Sequence, residues 1–426
     1  MSDKRNLAAW WLLGLCNNFA YVIMLSAAKD ILEKGHDVPV ADVCNETLSH
    51  RACAPISTGS VLLADIVPAI AAKLATPFFL AHIPFDIRHA AVVMLQAGSY
   101  VIVALSEQTW FALLGVALAS AGSGFGEVSY LAMSAHYPAT VITAWSSGTG
   151  GAGVFGALAY AVLTDSFMVG MTPKHALLTF LTVPALFAYT FWGLLKHPPT
   201  VHRVRPCSLA TYTTALDITP RVVVDAVAED TQPLLDPDRG DDKPKFNFQL
   251  LSPAEKWREI TPLFRYMVPL TVVYFGEYFI NQGLLELLVF DCDHGFRLPP
   301  SAQYRWFQVL YQVGVFASRT AGGLVPWLPP TIVFALLQLL NASVLTIDAV
   351  WPWILPHFAI VAVIVLYEGF LGGTAYVWTY KDMHNRISPE RREFSLGFVG
   401  ISDSFGISIA GFAAIPAHNA ICALSL

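Results

Sequence analysis

The sequence predicts an all-α polytopic membrane protein with about eleven transmembrane helices in two bundles. Three observations carry this. Of 426 residues, 55% are hydrophobic and only 13% are charged, about half the charge of a soluble domain. The mean hydropathy is +0.54. The apolar residues gather in runs of roughly 20, the length a helix needs to cross a bilayer, and not in the alternating segments of an outer-membrane barrel. This composition argues against a water-soluble enzyme. Six Cys in the chain are too few for a disulfide-dense secreted module. A net charge of −6 gives no general affinity for nucleic acid.

The apolar runs lie at 8–31, 57–81, 89–106, 110–135, 140–164, 174–195, 259–290, 303–325, 330–349, 353–380 and 395–418. The first ends in Lys29-Asp30 without a small-residue cleavage site and reads as a retained signal anchor. Lys and Arg set the orientation. With the N-terminus in the cytosol, seventeen of the 25 lie on that side, four lie opposite and four lie within spans. The 33–56 loop is then lumenal. It holds Asn45-Glu46-Thr47, a glycosylation acceptor. Cys44 and Cys53 flank it, and an oxidising compartment allows them to pair.

The long polar break at 197–258, rich in Pro and Asp, reads as a disordered cytosolic linker. It separates a six-helix bundle (1–196, carrying the lumenal loop 33–56) from a five-helix bundle (259–426). Two such bundles joined by a cytosolic loop is the layout of transporters of the major facilitator type. Any polytopic protein with one long loop would share it. Within the linker, Asp230-Thr231-Gln232-Pro233-Leu234-Leu235 fits an acidic dileucine sorting signal. Leu234 and Leu235 would enter an apolar pocket of a clathrin adaptor, and Asp230 would face a basic patch.

Ionisable groups inside a membrane are costly and usually face a cavity. The spans carry Asp65, Lys73, Glu127, Glu277, Glu286, Arg305, Arg319, Glu368 and Asp403. Helical spacing groups several into polar stripes: Tyr274, Glu277 and Asn281; Arg305, Gln308 and Gln312; Glu127, Tyr130 and Ser134. Such stripes line a water-filled path or form interhelical hydrogen bonds. Glu277 and Arg305 as a structural ion pair is one form of the second reading. Lys73 is either an anion ligand or a chain snorkelling to the interface.

Gly148, Ala152 and Gly156 form a small-xxx-small ridge for close helix packing. A locally unwound helix with free amides is the alternative. No HExxH, GxSxG or Cys/His metal spacing occurs, so neither an enzyme, a cofactor nor a metal site is expected.

Several segments carry a resemblance: WWLLGLCNNFAYVIMLSAAKDIL (10–32), VLLADI (61–66), WSSGTGGAG (145–153), EYFINQGL (277–284), QYRWFQVLYQVGVFASR (303–319), LYEGFLGG (366–373), REF (392–394) and ISDSFGIS (401–408). In this order the membrane part resembles the battenin family. The resemblance implies a major facilitator-like fold and a multi-pass location in the lysosomal and late endosomal membrane, with the N-terminus cytosolic. The implied activity is export of glycerophosphodiesters, such as glycerophosphoglycerol, from lysosome to cytosol by alternating access. For such polyol anions the fitting side chains are Lys73, Glu127, Tyr274, Glu277, Asn281, Gln282, Arg305, Gln308 and Arg319. Two further readings stand beside it: a non-transporting membrane scaffold acting in trafficking, and a carrier for another solute such as a basic amino acid or nucleoside.

Overall fold

The structure, a computed structural model, describes residues 2–32, 53, 56–75, 83–134, 136–138, 140–199, 201–204, 253–321, 329–351, 354–388, 395 and 398–424. Asn45, Cys44, Asp230, Leu234 and Leu235 lie outside them, as does most of the 197–258 segment. The regular structure of the described residues is helical, with turns and extended links between helices, and the apolar runs overlap these helices. Among the described residues, seven helices are long and apolar enough by themselves to cross a membrane.

Two compact units make up the chain. The first contains α1 (Ser2–Ser26), α2 (Ala28–Leu32), α4 (Phe85–Leu105), α5 (Thr109–Ser134), α6 (Thr140–Thr164), α7 (Pro173–Thr179) and α8 (Thr182–Tyr189), the last continued by a π-helical turn, Thr190–Leu194. The second contains α9 (Pro253–Ile260), α10 (Phe264–Phe279) with its π-helical turn Ile280–Leu284, α11 (Pro300–Ala321), α12 (Thr331–Val350), α13 (Phe358–Arg386) and α14 (Ile401–Cys422). Helix α3 (Gly59–Ala75) is divided: its residues through Leu63 belong to the second unit and those from Ala64 to the first. The described residues just before α3, which the sequence places with the N-terminal bundle, also group with the second unit.

Small residues set the helix spacing, as expected where lipid removes the hydrophobic drive for helix association. In the first unit α1 packs on α6. A side chain at Gly148 would strike the Trp11 carbonyl, one at Gly14 the Trp145 carbonyl, and one at Gly156 the Val22 side chain at 3.0 Å. The ridge is therefore a packing surface on a continuous helix, and the unwound alternative is not adopted. In the second unit α11 and α13 meet through a reciprocal pair: Gly314 abuts the Leu366 carbonyl, and Gly369 the Tyr311 carbonyl. That contact sets the register between the helices bearing Tyr311 and Glu368. The outer faces carry exposed Met94, Leu336, Leu340, Val363, Phe405 and Phe412, an apolar surface suited to lipid.

One expectation is overturned. Cys53 does not pair with Cys44; it is bonded to Cys422 at the end of α14, 369 residues away in sequence. Cys292 is disulfide-bonded as well. Sequence proximity favours a short loop, but α14 packs along α10 and brings Cys422 within bonding reach of Cys53, with Cα atoms 5.8 Å apart.

Candidate functional site

In the second unit the polar stripe of α10 becomes a buried cluster. Tyr274, Glu277 and Asn281 share a face, and the π-helical turn at Ile280–Leu284 widens the helix where Asn281 and Gln282 leave it, a distortion frequent at functional sites. The Asn281 amide donates to the Glu277 carbonyl at 3.0 Å and to Glu368 Oε1 at 2.7 Å. Gln308 on α11 donates to the Asn281 carbonyl at 3.3 Å and to its Oδ1 at 3.4 Å. The Tyr311 hydroxyl, one turn beyond Gln308, donates to Glu277 Oε1. Glu277, Asn281, Gln308 and Glu368 are all buried, Glu368 completely. Glu277 Oε2 and Glu368 Oε2 receive no hydrogen bond.

The second carboxylate of this cluster, Glu368, packs beside the first. A methyl on Gly372, four residues on from Glu368, would meet the carboxylate carbon of Glu277 at 2.6 Å. Both acids therefore lie along one face of α13, a turn apart. Neither is matched by Arg305. That guanidinium instead donates to Ser301 at 3.0 Å, so the alternative of a structural Glu277–Arg305 ion pair is not adopted, and Glu277 is met by the Tyr311 hydroxyl.

Arg319, at the far end of α11, is exposed. Its guanidinium lies 4.7 Å from the Tyr376 ring centre and 3.5 Å from the Tyr274 hydroxyl. A cation on a tyrosine face is stabilised by the ring quadrupole and keeps donors for a planar, multi-oxygen anion. Gln282 turns elsewhere: its Oε1 accepts from the Tyr304 hydroxyl at 2.9 Å and its carbonyl from the Thr58 hydroxyl at 2.7 Å.

In the first unit Lys73 and Glu127 form an ion pair, Nζ to Oε2 2.8 Å, with side chains 38% and 36% exposed. Lys73 thus has its own counter-charge. The α5 stripe divides: Tyr130 meets the His89 ring at 2.5 Å, and Ser134 bonds the Leu131 carbonyl at 2.7 Å.

Sequence reasoning did not assign Tyr311, Glu368, Tyr376 or the buried set around Glu286. That carboxylate accepts from the Ser57 hydroxyl at 2.7 Å, the Thr58 N–H at 2.9 Å and His418 Nδ1–H at 2.9 Å. A His in the last apolar span, the only one there, was the available signal. Tyr311 and Tyr376 read as ordinary span aromatics until their partners are known. Among the described residues no group of three or more His, Cys, Asp or Glu is placed to hold a metal ion.

The geometry can be set beside known proteins. Residues 8–424 match the family model described as CLN3 protein. The chain is 42% identical to Battenin of Canis lupus familiaris, over 99% of this chain and 92% of that one. In fold it is similar to a bacterial homolog of the human lysosomal transporter Spinster, solved inward-facing and unoccupied (TM-score 0.54, 14% identity, 96% and 81% of the two chains). It is also similar to a D-xylose-proton symporter (TM-score 0.56, 11% identity, 97% and 90%). The fold is major facilitator-like, and the chain is a multi-pass membrane protein that belongs to the CLN3 family.

Proposed function

We propose that this protein is a lysosomal membrane transporter that exports glycerophosphodiesters to the cytosol by alternating access. The observation that carries the reading is the buried polar cluster of Glu277, Asn281, Gln308, Tyr311 and Glu368, with an exposed Arg319 among tyrosines. Polar groups at membrane depth are retained where a polar solute must pass. A phosphodiester needs one planar cation, and its glycerol hydroxyls need neutral amides and hydroxyls. Arg319 supplies the first, and Asn281, Gln308 and the Tyr311 hydroxyl the second.

Two features support the orientation with a cytosolic N-terminus. The Cys53–Cys422 bond joins the loop after the first span to the chain end after the last, so both lie on one side. Disulfides persist in oxidising compartments, which makes that side the lumen. The dileucine segment, on the other side, is the proposed adaptor signal for delivery to lysosomes.

The test is uptake of labelled glycerophosphoglycerol into proteoliposomes holding the purified protein. Wild type should show saturable uptake, and Arg319→Ala, shown to be folded, should lose it. A wild type that takes up none in either orientation, with or without a pH gradient, would refute the reading. Lys73→Ala should lose less than Arg319→Ala, because Lys73 is already paired.

A further inference from the structure

We propose that Glu368 is the proton-binding group of the transport cycle, with Asn281 as the residue that couples it to the substrate-binding face. The inference rests on the transporter reading. Glu368 is completely buried in the middle of α13. Its carboxyl group has one hydrogen bond, from a neutral amide at 2.7 Å, and a second oxygen that nothing meets. A carboxylate so poorly matched at membrane depth is costly when ionised. Proton binding removes the charge and turns the bare oxygen into a donor.

Among the described neighbours Glu277 also has a bare second oxygen, but the Arg319 charge acts on it, whereas no cation acts on Glu368. Helices α10, α11 and α12 pack against α13. From α10 comes Glu277, whose carboxylate is met by the Tyr311 hydroxyl of α11, and Tyr274, bonded to Arg319. From α11 come Arg305, bonded to Ser301 at 3.0 Å, and Arg319, held over Tyr376. From α12 comes Asp348, which accepts the Leu355 N–H at 2.8 Å.

The step is a simple proton exchange. Water on the acidic side delivers a proton, and an O–H bond forms at Glu368 Oε2. On the opposite side that bond breaks, the proton returns to water and the carboxylate is restored. Asn281 feels the change because its one amide group, within the π-helical turn, spans Glu368 Oε1 and the carbonyl of Glu277 in the helix just before it. A neutral acid accepts more weakly than a carboxylate, so protonation loosens the bond to Asn281 and frees the turn to move. Asn281 is a positioning residue in this scheme.

Glu368→Gln separates the proposal from its alternatives, since Gln mimics the neutral acid in shape and still accepts from Asn281. Two transport modes are compared in proteoliposomes with labelled glycerophosphoglycerol: exchange at equal pH, and accumulation driven by a pH gradient. For one proton per substrate, wild type should accumulate up to about tenfold per pH unit. Glu368→Gln should keep exchange and lose gradient-driven accumulation, while Asp348→Asn keeps both. Accumulation retained in Glu368→Gln would overturn the proposal.

A transport-free readout guards against a wrong substrate. In the infrared difference spectrum of the full protein in lipid between about pH 5 and pH 8, a carboxylic-acid C=O band should be present in wild type and absent in Glu368→Gln. A spectrum unchanged by the substitution would overturn the proposal. The band present without any glycerophosphoglycerol exchange would leave Glu368 as the proton site and refute the substrate.

Discussion

Glu286→Ala is the substitution whose cost can be worked out most fully from the geometry. The carboxylate is 2% exposed and satisfies three donors: the Ser57 hydroxyl at 2.7 Å, the Thr58 N–H at 2.9 Å and His418 Nδ1–H at 2.9 Å. The Ser57 hydroxyl can rotate, but the Thr58 N–H and the His418 ring cannot find new acceptors without backbone movement. Two buried orphaned donors at about 1–3 kcal/mol each place the loss at roughly 2–6 kcal/mol. That is a large share of the roughly 5–15 kcal/mol that holds a domain folded. Glu286→Gln keeps one acceptor oxygen and should lose about half as much. The assay is thermal unfolding of purified protein followed by intrinsic tryptophan fluorescence. The expected order of stability is wild type, then Gln, then Ala. An Ala variant melting with wild type, or below it by no more than Gln, would refute the reasoning. A Glu286/His418 double-mutant cycle should return a coupling of about 0.5–3 kcal/mol.

Four further outcomes are expected. Tyr311→Phe removes the one hydroxyl that meets the Glu277 carboxylate; stability should fall by about 1–2 kcal/mol, while glycerophosphoglycerol exchange falls far more, and equal losses would make Tyr311 structural only. Lys73→Ala and Glu127→Ala each strand a charge, but both side chains are more than a third exposed, so a double-mutant cycle by thermal unfolding should give less than about 1 kcal/mol. Cys53→Ser should free the Cys422 thiol for a membrane-impermeant maleimide in vesicles exposing the lumenal face; labelling solely from the cytosolic face would refute the topology. Asp291, beyond the end of the α10 span, is pushed up by burial, but this is outweighed by bonds from the His294 N–H and ring and from the Asp293 N–H, and its carboxyl sits below the usual value. A depressed carboxyl stabilises above the unfolded-state value and loses this as pH falls through the folded one. Asp291→Asn should therefore lower the melting temperature slightly at neutral pH, and the gap should close below roughly pH 4.

The helices and the reason for them were legible in the linear chain. Hydrophobic runs of membrane length need no tertiary information, because an unpaired backbone in lipid forces each run to be helical. The Gly148, Ala152 and Gly156 ridge was legible for a related reason: helical period alone puts the three residues on one face. The Tyr274, Glu277 and Asn281 stripe was visible on the same ground, and the structure keeps it as one face of a buried cluster.

Partners were a different matter. Periodicity says which residues share a face, not which helix that face meets. Glu277 is answered by Tyr311, Lys73 by Glu127, and Asn281 by Glu368, and each depends on how two helices distant in sequence are packed and in what register. The Gly314–Gly369 contact sets one such register by a steric fit that no single helix contains. Cys53 shows the limit most sharply. Its near neighbour Cys44 was the natural choice by loop length, yet the bond goes to Cys422. The linear chain determined a multi-pass helical membrane protein with costly polar groups in its spans. Tertiary packing alone decided which of those groups satisfy one another and which, like the bare oxygen of Glu368, stay open, because side-chain pairing is a property of the distance between helices and not of spacing along one.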